Sequence, residues 1–400
     1  MRNEPIFKES GKESKTSTGG IGYFLITILC YIPLFVSDIF PLGLLMLYIG
    51  IIPASVIFTL MIIVSLITSI IIHETGHLVF GLLSGYKFCS FRIFSIMIIK
   101  TDDGIKLKRF HVPGTAGQCL LIPPECKGNK MPTVAYNLGG FILGIIFAIL
   151  FGILAFALHD YILLYMLLTV LCVTNLAIAL TNGIPMRVGL IDNDGRNTVS
   201  LIKNPKAAYA LRIQLLSNAE NSRGVALSDM PNEWFVMPSD DELVDSLMHS
   251  QAYLCFSRYF ESGEYDKAKE IAIRLLALDN LLGLHRATLG ISLAYIRILD
   301  GEYRDADQFF KREYYKNSSL YLMDLSSARC RYAYELLVKG SEKGAKRELC
   351  VFNLLVRKLK KYPFRDVIER ECRLIRDVDM IYAERKDEGA HSSDAVFYTN

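Results

Sequence analysis

Four long apolar stretches constrain this 400-residue chain more than any other feature of its sequence. They cover residues 21–37, 42–83, 138–158 and 161–181. Because a helix needs about 20 apolar residues to cross a bilayer, these stretches predict membrane-spanning helices. The second stretch is too long for one straight helix, and prolines at positions 33, 41 and 53 interrupt this region. We therefore expect two helices here, a kinked one from 21 to about 50 and another from 54 to 83.

Charges in the connecting segments orient the predicted helices. The segment 85–136 carries eight Lys and Arg residues, whereas the connection at His159–Asp160 carries none. Since cytosolic loops are rich in Lys and Arg, the first segment is predicted to be cytosolic and the second to lie outside. If the N-terminus is also cytosolic, the chain has four spanning helices, and otherwise it has five. Everything after residue 183 is then cytosolic.

The cytosolic segment between the second and third helices contains a predicted β-hairpin. Residues 88–108 are rich in β-branched and aromatic side chains, and the turn dipeptide Asp103-Gly104 divides them. This pattern is typical of two short antiparallel strands.

A repeated motif marks the C-terminal half of the chain. Gly263-Glu-Tyr-Asp-Lys-Ala recurs as Gly301-Glu-Tyr-Arg-Asp-Ala and, more weakly, as Gly340-Ser-Glu-Lys-Gly-Ala, at offsets of 38 and 39 residues. Periods in this range are typical of stacked helical hairpins. The motif therefore predicts a helical-repeat domain that resembles a tetratricopeptide array, with an irregular all-helical domain as the alternative.

Together these patterns predict a mainly α protein: a polytopic membrane helix bundle with a small cytosolic β-hairpin, followed by an all-α helical-repeat domain. The predicted parts are a polar cytosolic N-terminus (1–20), the membrane domain (21–200), a linker (201–250), the repeat domain (251–385) and a disordered tail (386–400).

No small-residue cleavage site follows the first apolar stretch, which favours a retained membrane segment over a signal peptide. The net charge of +3 does not indicate a nucleic-acid partner. The nine cysteines include no C-x-x-C pair, which argues against a disulfide framework.

The helix predicted at 54–83 carries ionisable side chains near its cytosolic end. The sequence His73-Glu-Thr-Gly-His77 places two imidazoles one turn apart on the same face of a helix. Two histidines at this spacing can bind a single Zn²⁺, and the intervening Glu74 is then placed to act as a general base. Each ionisable group in a membrane helix costs about 2.5–3.5 kcal/mol on insertion scales, so their presence favours a functional site.

A catalytic zinc site usually has three protein ligands, so a further donor is expected. The stretch Ile-Asp-Asn-Asp-Gly after the last apolar helix offers Asp192 and Asp194 at the same membrane depth, and the residues themselves leave both open. The other histidines are less suitable. His111 lies in the hairpin loop and His159 on the opposite side of the membrane, while the soluble part holds His249, His285 and His391.

These motifs, in this order, resemble the site-2 proteases, a family of intramembrane zinc metallopeptidases. The resemblance covers residues 60–200 and rests on HETGH, on the Asn-Leu-Gly-Gly that opens a later helix, and on N-x-x-P followed by Asp-Gly. It implies that residues 21–200 form an intramembrane metalloprotease domain that binds one Zn²⁺. The implied residues are the ligands His73, His77 and Asp194, the catalytic base Glu74, and the substrate-cleft residues Asn182 and Pro185.

Two points of this carry-over stay open. The family usually spaces its motif as N-x-x-P-x-x-x-L-D-G, whereas nine positions separate Pro185 from Asp194 here, so Asp192 remains an alternative third ligand. Asn137 and Asn182 are both candidates for donating a hydrogen bond to the oxyanion of the reaction. Helix packing is the alternative role for Asn137.

The expected function is cleavage of a membrane-embedded peptide or single-span protein near the cytosolic face of a cell membrane, in a bacterium, by a water molecule that zinc activates. An edge strand of the hairpin is a candidate for holding the unwound substrate, with an amphipathic hairpin on the lipid bilayer as the alternative. The helical repeats offer a surface for a protein partner. One competing interpretation is a catalytically silent zinc-binding membrane protein acting in peptide export, immunity or partner binding, which the intact Glu74 argues against. Another makes the repeats the functional centre and the membrane part an anchor.

Overall fold

The computed structural model describes residues 17–101, 104–109, 115–125, 132–188, 191–314, 324–359 and 365–395. Within these residues the chain is mainly helical and contains a small antiparallel sheet, as expected. It divides into two compact units. The described part of the first unit runs from Ser17 to Ala219 and from Pro238 to Gln251, and that of the second comprises Glu220–Met237 and the residues from Ala252 onward.

Four long helices form most of the first unit: α1 (Ser17–Ile49), α2 (Ile51–Leu83), α3 (Thr133–Ala157) and α4 (Ile162–Gly183). Helices α2, α3 and α4 are each long and apolar enough to cross a membrane. Helix α1 meets the same criterion only as a bent pair, with 54° between its two halves. Pro33 ends the first half, and a proline inside a helix removes a backbone hydrogen bond and clashes with the preceding turn. The kink expected in the first helix is therefore present.

A four-stranded antiparallel sheet follows α2, with strands β1 (Lys87–Ile93), β2 (Ile96–Thr101), β3 (Gly104–Arg109) and β4 (Gly117–Ile122). The strand order is β3-β2-β1-β4. The pairing of Thr101 with Gly104 closes the predicted hairpin, although Asp103 lies outside the described residues. The predicted segment 88–108 holds three strands rather than two, because it also contains most of β1, and the sequence pattern did not indicate β4. Strand β4 pairs with β1 and forms the second edge of the sheet.

Helices α2 and α3 cross at glycine residues, where their backbones touch. A Cβ atom on Gly76 would lie 2.6 Å from the carbonyl carbon of Gly139 and 2.8 Å from the Cα atom of Gly140. A Cβ atom on Gly139 would in turn lie 2.8 Å from the carbonyl carbon of Gly76. Small residues allow such close approach between membrane helices, and here they bring the HETGH turn against the start of α3.

Helix α4 leads into a short antiparallel pair of strands, β5 (Arg187–Val188) and β6 (Ile191–Asp192), and then into α5 (Asp194–Lys203) and α6 (Pro205–Ser222). The sequence analysis assigned residues 201–250 to a linker, but the structure has helix α6 there. Its Leu215 belongs to a buried cluster with Tyr86, Cys119, Leu121 and Tyr136. The proline-containing and acidic stretch after α6 predicts a linker, whereas the first turns of α6 bury residues at helical spacing, namely Ala207, Ala210 and Ile213.

The second unit is helical, and its sequence motif corresponds to a recurring turn. The helices that follow α6 are α7 (Ser246–Glu261), α8 (Tyr265–Leu276), α9 (Gly283–Leu299), α10 (Tyr303–Phe309), α11 (Leu325–Ala333), α12 (Glu342–Leu359) and α13 (Arg365–Ala395). The three motif glycines have left-handed φ angles of +75°, +78° and +62° at Gly263, Gly301 and Gly340. The motif alanines are all buried in the helix that follows: Ala268, Ala306 and Ala345. Each motif therefore marks a tight turn that a glycine permits.

The C-terminal end differs from expectation. Residues 386–400 were predicted to be disordered, but α13 continues to Ala395, and the last five residues lie outside the described part. The charged residues around 384–388 favour a helix as readily as a solvated tail, so composition alone did not distinguish the two.

Candidate metal centre

Three donor atoms from distant parts of the chain meet beside the start of α3. The Nε2 atoms of His73 and His77 are 3.2 Å apart. The Oδ2 atom of Asp194 lies 3.3 Å from each of them. Donors held about 2.0–2.1 Å from one zinc ion at tetrahedral angles are separated by about 3.3 Å. This nearly equilateral triangle, which we call the donor triangle, therefore has the dimensions of a zinc site.

The two imidazoles of the donor triangle are buried, and its half-buried carboxylate is charged. His73 and His77 are only 9% and 8% exposed. Burial raises the pKa of the Asp194 carboxyl, but the adjacent His77 and His73 rings lower it by more, so its pKa lies below the usual range. Its Oδ2 atom has no hydrogen-bond partner, although two ring nitrogens are nearby. Two imidazole nitrogens and a carboxylate oxygen that converge within 3.2–3.3 Å of one another have the spacing of ligands around one metal ion.

The backbone of α3 fixes the orientation of one imidazole. His77 Nδ1 lies 2.8 Å from the carbonyl oxygen of Tyr136, which can only accept a hydrogen bond. Nδ1 therefore carries a proton, and in the neutral ring the lone pair of Nε2 points into the donor triangle. Tyr136 is itself held by its hydroxyl, which donates to the carbonyl of Cys119 at 2.9 Å, and by stacking on Tyr86. Strand β4 thus supports the histidine through α3.

Gly140 provides the space that the two imidazoles occupy. A Cβ atom at this position would lie 2.5 Å from Cε1 and Nδ1 of His73 and 2.8 Å from Nε2 of His77. No side chain fits there without displacing a ring. The sequence analysis noted Asn-Leu-Gly-Gly only as part of the family resemblance, and the structure supplies a physical reason for its last glycine.

Glu74 lies beside the donor triangle without being part of it. The residue is 8% exposed and interacts electrostatically with both imidazoles. Its carboxyl group packs on Gly117 at the start of β4, where a Cβ atom would lie 2.6 Å from Cγ and 2.8 Å from Cδ of Glu74. The predicted base is thus next to the predicted ligands, and β4 limits its position.

Arg92, which the sequence analysis did not single out, organises the strand ends near Glu74. The residue is 1% exposed. Its guanidinium donates to the carbonyl of Phe94 at 2.7 Å, the hydroxyl of Thr115 at 2.5 Å and the carbonyl of Gly117 at 3.3 Å. Burial lowers the pKa of Arg92, and the charge of Glu74 opposes this shift in part, so the two side chains interact electrostatically. A lone arginine in a predicted strand carries no sequence signal for this role.

The structure distinguishes the two aspartates that the residues alone left open. Asp192 Oδ1 accepts from Arg187 Nε at 2.8 Å and lies 3.2 Å from Arg196 Nε. It is therefore engaged in an ion pair, while Asp194 belongs to the donor triangle. The extra residues between Pro185 and Asp194 form the β5–β6 hairpin, which explains how the longer spacing still brings Asp194 to the histidines.

The predicted cleft residues lie near this region but outside the donor triangle. The side-chain amides of Asn137 and Asn182 donate to carbonyls of their own helices, those of Thr133 and Ile178, at 2.9 Å each. Asn137 is three residues before Gly140, which places it on the same face of α3. Pro185 is exposed in the segment between α4 and β5. A role for these three residues in substrate binding stays a prediction.

Comparisons of the chain with protein-family models, with curated proteins and with solved structures find no match. The chemistry of the site therefore has to be argued from its own atoms. Two imidazole nitrogens and one carboxylate oxygen suit zinc, and three protein ligands are typical of catalytic zinc sites, which keep a further position for water. The residues present thus fit a catalytic zinc ion better than a structural one.

Proposed function

We propose that this protein is an intramembrane zinc metalloendopeptidase that cleaves a membrane-embedded peptide or single-span protein near the cytosolic face of a cell membrane. The observation that carries the proposal is the donor triangle of His73, His77 and Asp194, whose edges measure 3.2–3.3 Å, with Glu74 beside it. A structural zinc site needs four protein ligands and no general base. This arrangement has three ligands and a buried carboxylate in the position of a base.

The chemistry follows from the roles of these side chains. Zinc in such a donor set lowers the pKa of a water molecule to about 7 and polarises a carbonyl group. Glu74 accepts the proton of the attacking water and donates it to the amine that leaves. Gly117 and the strand end that Arg92 organises restrict the carboxylate to one side of the site. Burial excludes bulk water and strengthens the electrostatic interactions between these groups.

The placement of the site supports a substrate that lies in the membrane. Helices α2, α3 and α4 are long and apolar enough to cross a bilayer, and the donor triangle lies in the last third of α2, beside the start of α3 and just beyond α4. These three ends share one membrane face if the helices span alternately. The eight basic residues between α2 and α3 assign that face to the cytosol. The protein is then multi-pass, with α1 as its fourth span and its C-terminal helices in the cytosol.

The substrate must be extended where it is cut, because a helix hides its peptide bonds. Within the described sheet, β4 is the edge strand next to Glu74, whereas β3 of the predicted hairpin is the opposite edge. We therefore assign strand addition to β4 rather than to the hairpin. The second unit, with its recurring glycine turns, then serves as a helical-repeat surface that recruits a substrate or partner protein.

The decisive experiment measures zinc and cleavage together. Protein purified in detergent is compared with Glu74→Gln, His73→Ala, Asp194→Ala and Asp192→Ala, first for zinc per chain and then for cleavage of fluorogenic single-span peptides in lipid vesicles. We expect about one zinc ion per chain in the wild type, Glu74→Gln and Asp192→Ala, and loss of zinc in the other two variants.

Cleavage distinguishes an enzyme from a silent zinc protein. Wild type and Asp192→Ala are expected to cut the peptides, and Glu74→Gln is expected to hold zinc without cutting them. Absence of zinc from the wild type, or equal cleavage by the wild type and Glu74→Gln, would contradict the proposal.

A further inference from the structure

Asn193 lies where the end of α4, the β5–β6 hairpin and the start of α5 meet, directly before the donor Asp194. It is 5% exposed. Nothing in the family resemblance singles it out, since the usual residue before the aspartate of the motif is leucine. Its neighbours in the chain are engaged elsewhere, Asp192 in an ion pair and Asp194 in the donor triangle.

The side-chain amide of Asn193 makes four hydrogen bonds, which join three separate segments. Its Oδ1 atom accepts from the backbone N–H groups of Met186 and Arg196, both at 3.0 Å. Its Nδ2 atom donates to the carbonyls of Thr181 at 2.8 Å and Ile184 at 2.6 Å. A primary amide has two donors and an acceptor oxygen with two lone pairs, so the hydrogen-bonding capacity of this side chain is fully used.

Each bond serves a distinct part of the connection to Asp194. The bond from Arg196 caps the N-terminus of α5. The bonds to Thr181 and Ile184 satisfy carbonyls at the C-terminal end of α4, which a helix end leaves without partners. The backbone N–H of Asn193 also donates to the carbonyl of Met186 at 3.1 Å, so Met186 and Asn193 close the base of the β5–β6 hairpin.

A second observation shows how closely α5 approaches α4. A Cβ atom on Gly195 would lie 2.7 Å from the carbonyl carbon of Gly183 and 3.1 Å from that of Ile184. Asp194 therefore lies between Asn193, whose side chain bonds the end of α4, and Gly195, whose backbone contacts it. Its carboxylate has little freedom to leave the two histidines.

We propose that Asn193 is a positioning residue that sets the location of the metal ligand Asp194 by anchoring it to the end of α4. This inference rests on the proposed zinc site. The β5–β6 hairpin lengthens the connection between α4 and Asp194. The amide of Asn193 holds the two ends of this hairpin together, because it bonds Met186 at the start and the carbonyls of Thr181 and Ile184 at the end of α4. The two bonds to α4 require both amide donors, so a side chain that caps α5 but has only one donor does not replace asparagine.

The test compares two substitutions that separate capping from anchoring. Asn193→Ala removes every side-chain bond, whereas Asn193→Ser keeps an acceptor for the cap of α5 and replaces the two amide donors to α4 by a single hydroxyl, which cannot bond both carbonyls. Asn204→Ala is the matched control, because Asn204 flanks the opposite end of α5 and bonds Lys206 N–H and Asp245 instead. Zinc affinity is measured by competition with a chromogenic chelator, and hydrogen exchange of residues 184–197 is measured in the metal-free protein.

We expect zinc affinity to fall about 10- to 100-fold in both Asn193 variants and to stay unchanged in Asn204→Ala. Amide exchange of residues 184–197 should rise in both Asn193 variants, with the rest of the chain protected as in the wild type. Wild-type affinity in either Asn193 variant would overturn the inference, and full affinity in Asn193→Ser alone would assign the effect to the cap. If the wild type binds no zinc, the proposed function fails, and unchanged exchange in the Asn193 variants would then also overturn the anchor.

Discussion

Replacing Gly140 by alanine tests whether the two imidazoles form a metal site at all. The added Cβ atom would lie 2.5 Å from Cε1 and Nδ1 of His73 and 2.8 Å from Nε2 of His77. Ordinary contact begins near 3.4 Å, so the His73 ring must move by roughly 0.9 Å. If α2 moves away from α3 instead, the close backbone contact between Gly76 and Gly139 opens and His73 and His77 move with α2, so the donor triangle is disturbed in either case.

The size of the effect follows from the donor triangle, whose edges are 3.2–3.3 Å. A displacement near 1 Å at a reacting centre costs about 100-fold in rate. Changes to residues that merely support metal ligands cost about 10- to 100-fold in metal affinity, so direct displacement of a ligand should reach the upper end of that range. Helix propensity acts in the opposite direction, since alanine favours a helix by up to about 1 kcal/mol over glycine.

The assay is zinc affinity by chelator competition, followed by cleavage of the fluorogenic peptides. Gly152→Ala is the matched control, because it lies on the same helix and its Cβ atom would be 3.4 Å from Cys172 Sγ, an ordinary contact. Circular dichroism and gel filtration establish that both variants fold. A folded Gly140→Ala variant with the zinc affinity and cleavage rate of Gly152→Ala would refute the reasoning.

Three further predictions concern the support of the site and the second unit. Tyr136→Phe leaves the buried carbonyl of Cys119 without its donor, and we expect a loss of about 1–3 kcal/mol, measured as a lower melting temperature of the full chain in detergent. Arg329→Ala leaves Glu371 buried without the guanidinium 2.7 Å away, at an expected cost of about 3–5 kcal/mol. Protease resistance of the second unit in urea should recover partly when Glu371→Leu is added, and no recovery would contradict a charge effect. Gly301→Ala should cost about 1–2 kcal/mol in the same assay and Gly301→Asn less, because the φ of +78° is left-handed and no atom lies within 4 Å of the added Cβ.

The features that the sequence could predict are those that repeat or extend over many residues. Long apolar stretches identified the long helices, and Pro33 indicated the kink in α1. The spacing of His73 and His77 placed two donors on one turn of α2, because helical geometry fixes that relation locally. The repeated glycines marked three turns with the same left-handed conformation.

The features that were missed depend on short segments or on contacts between distant ones. Strands β5 and β6 have two residues each, too few for any periodicity, yet they decide that Asp194 reaches the histidines and that Asp192 does not. Strand β4 and the buried Arg92 gain their importance only from where Glu74 lies. The composition of the acidic stretch after α6 predicts a linker, whereas Leu215 of α6 packs in a buried cluster with residues of β4 and α3. In each case tertiary contact, rather than local pattern, carries the information.

The donor triangle draws its atoms from segments that leave the ribosome at very different times. His73 and His77 are synthesised well before α3, α4 and the residue that completes the set. A nascent chain that ends at Val188 holds both imidazoles but lacks Asp194, so it should release zinc to a mild chelator that the finished chain resists. Retained metal would thus report that the segment after the last apolar helix has docked against the two histidines, so metal binding would mark the completion of the fold of the first unit.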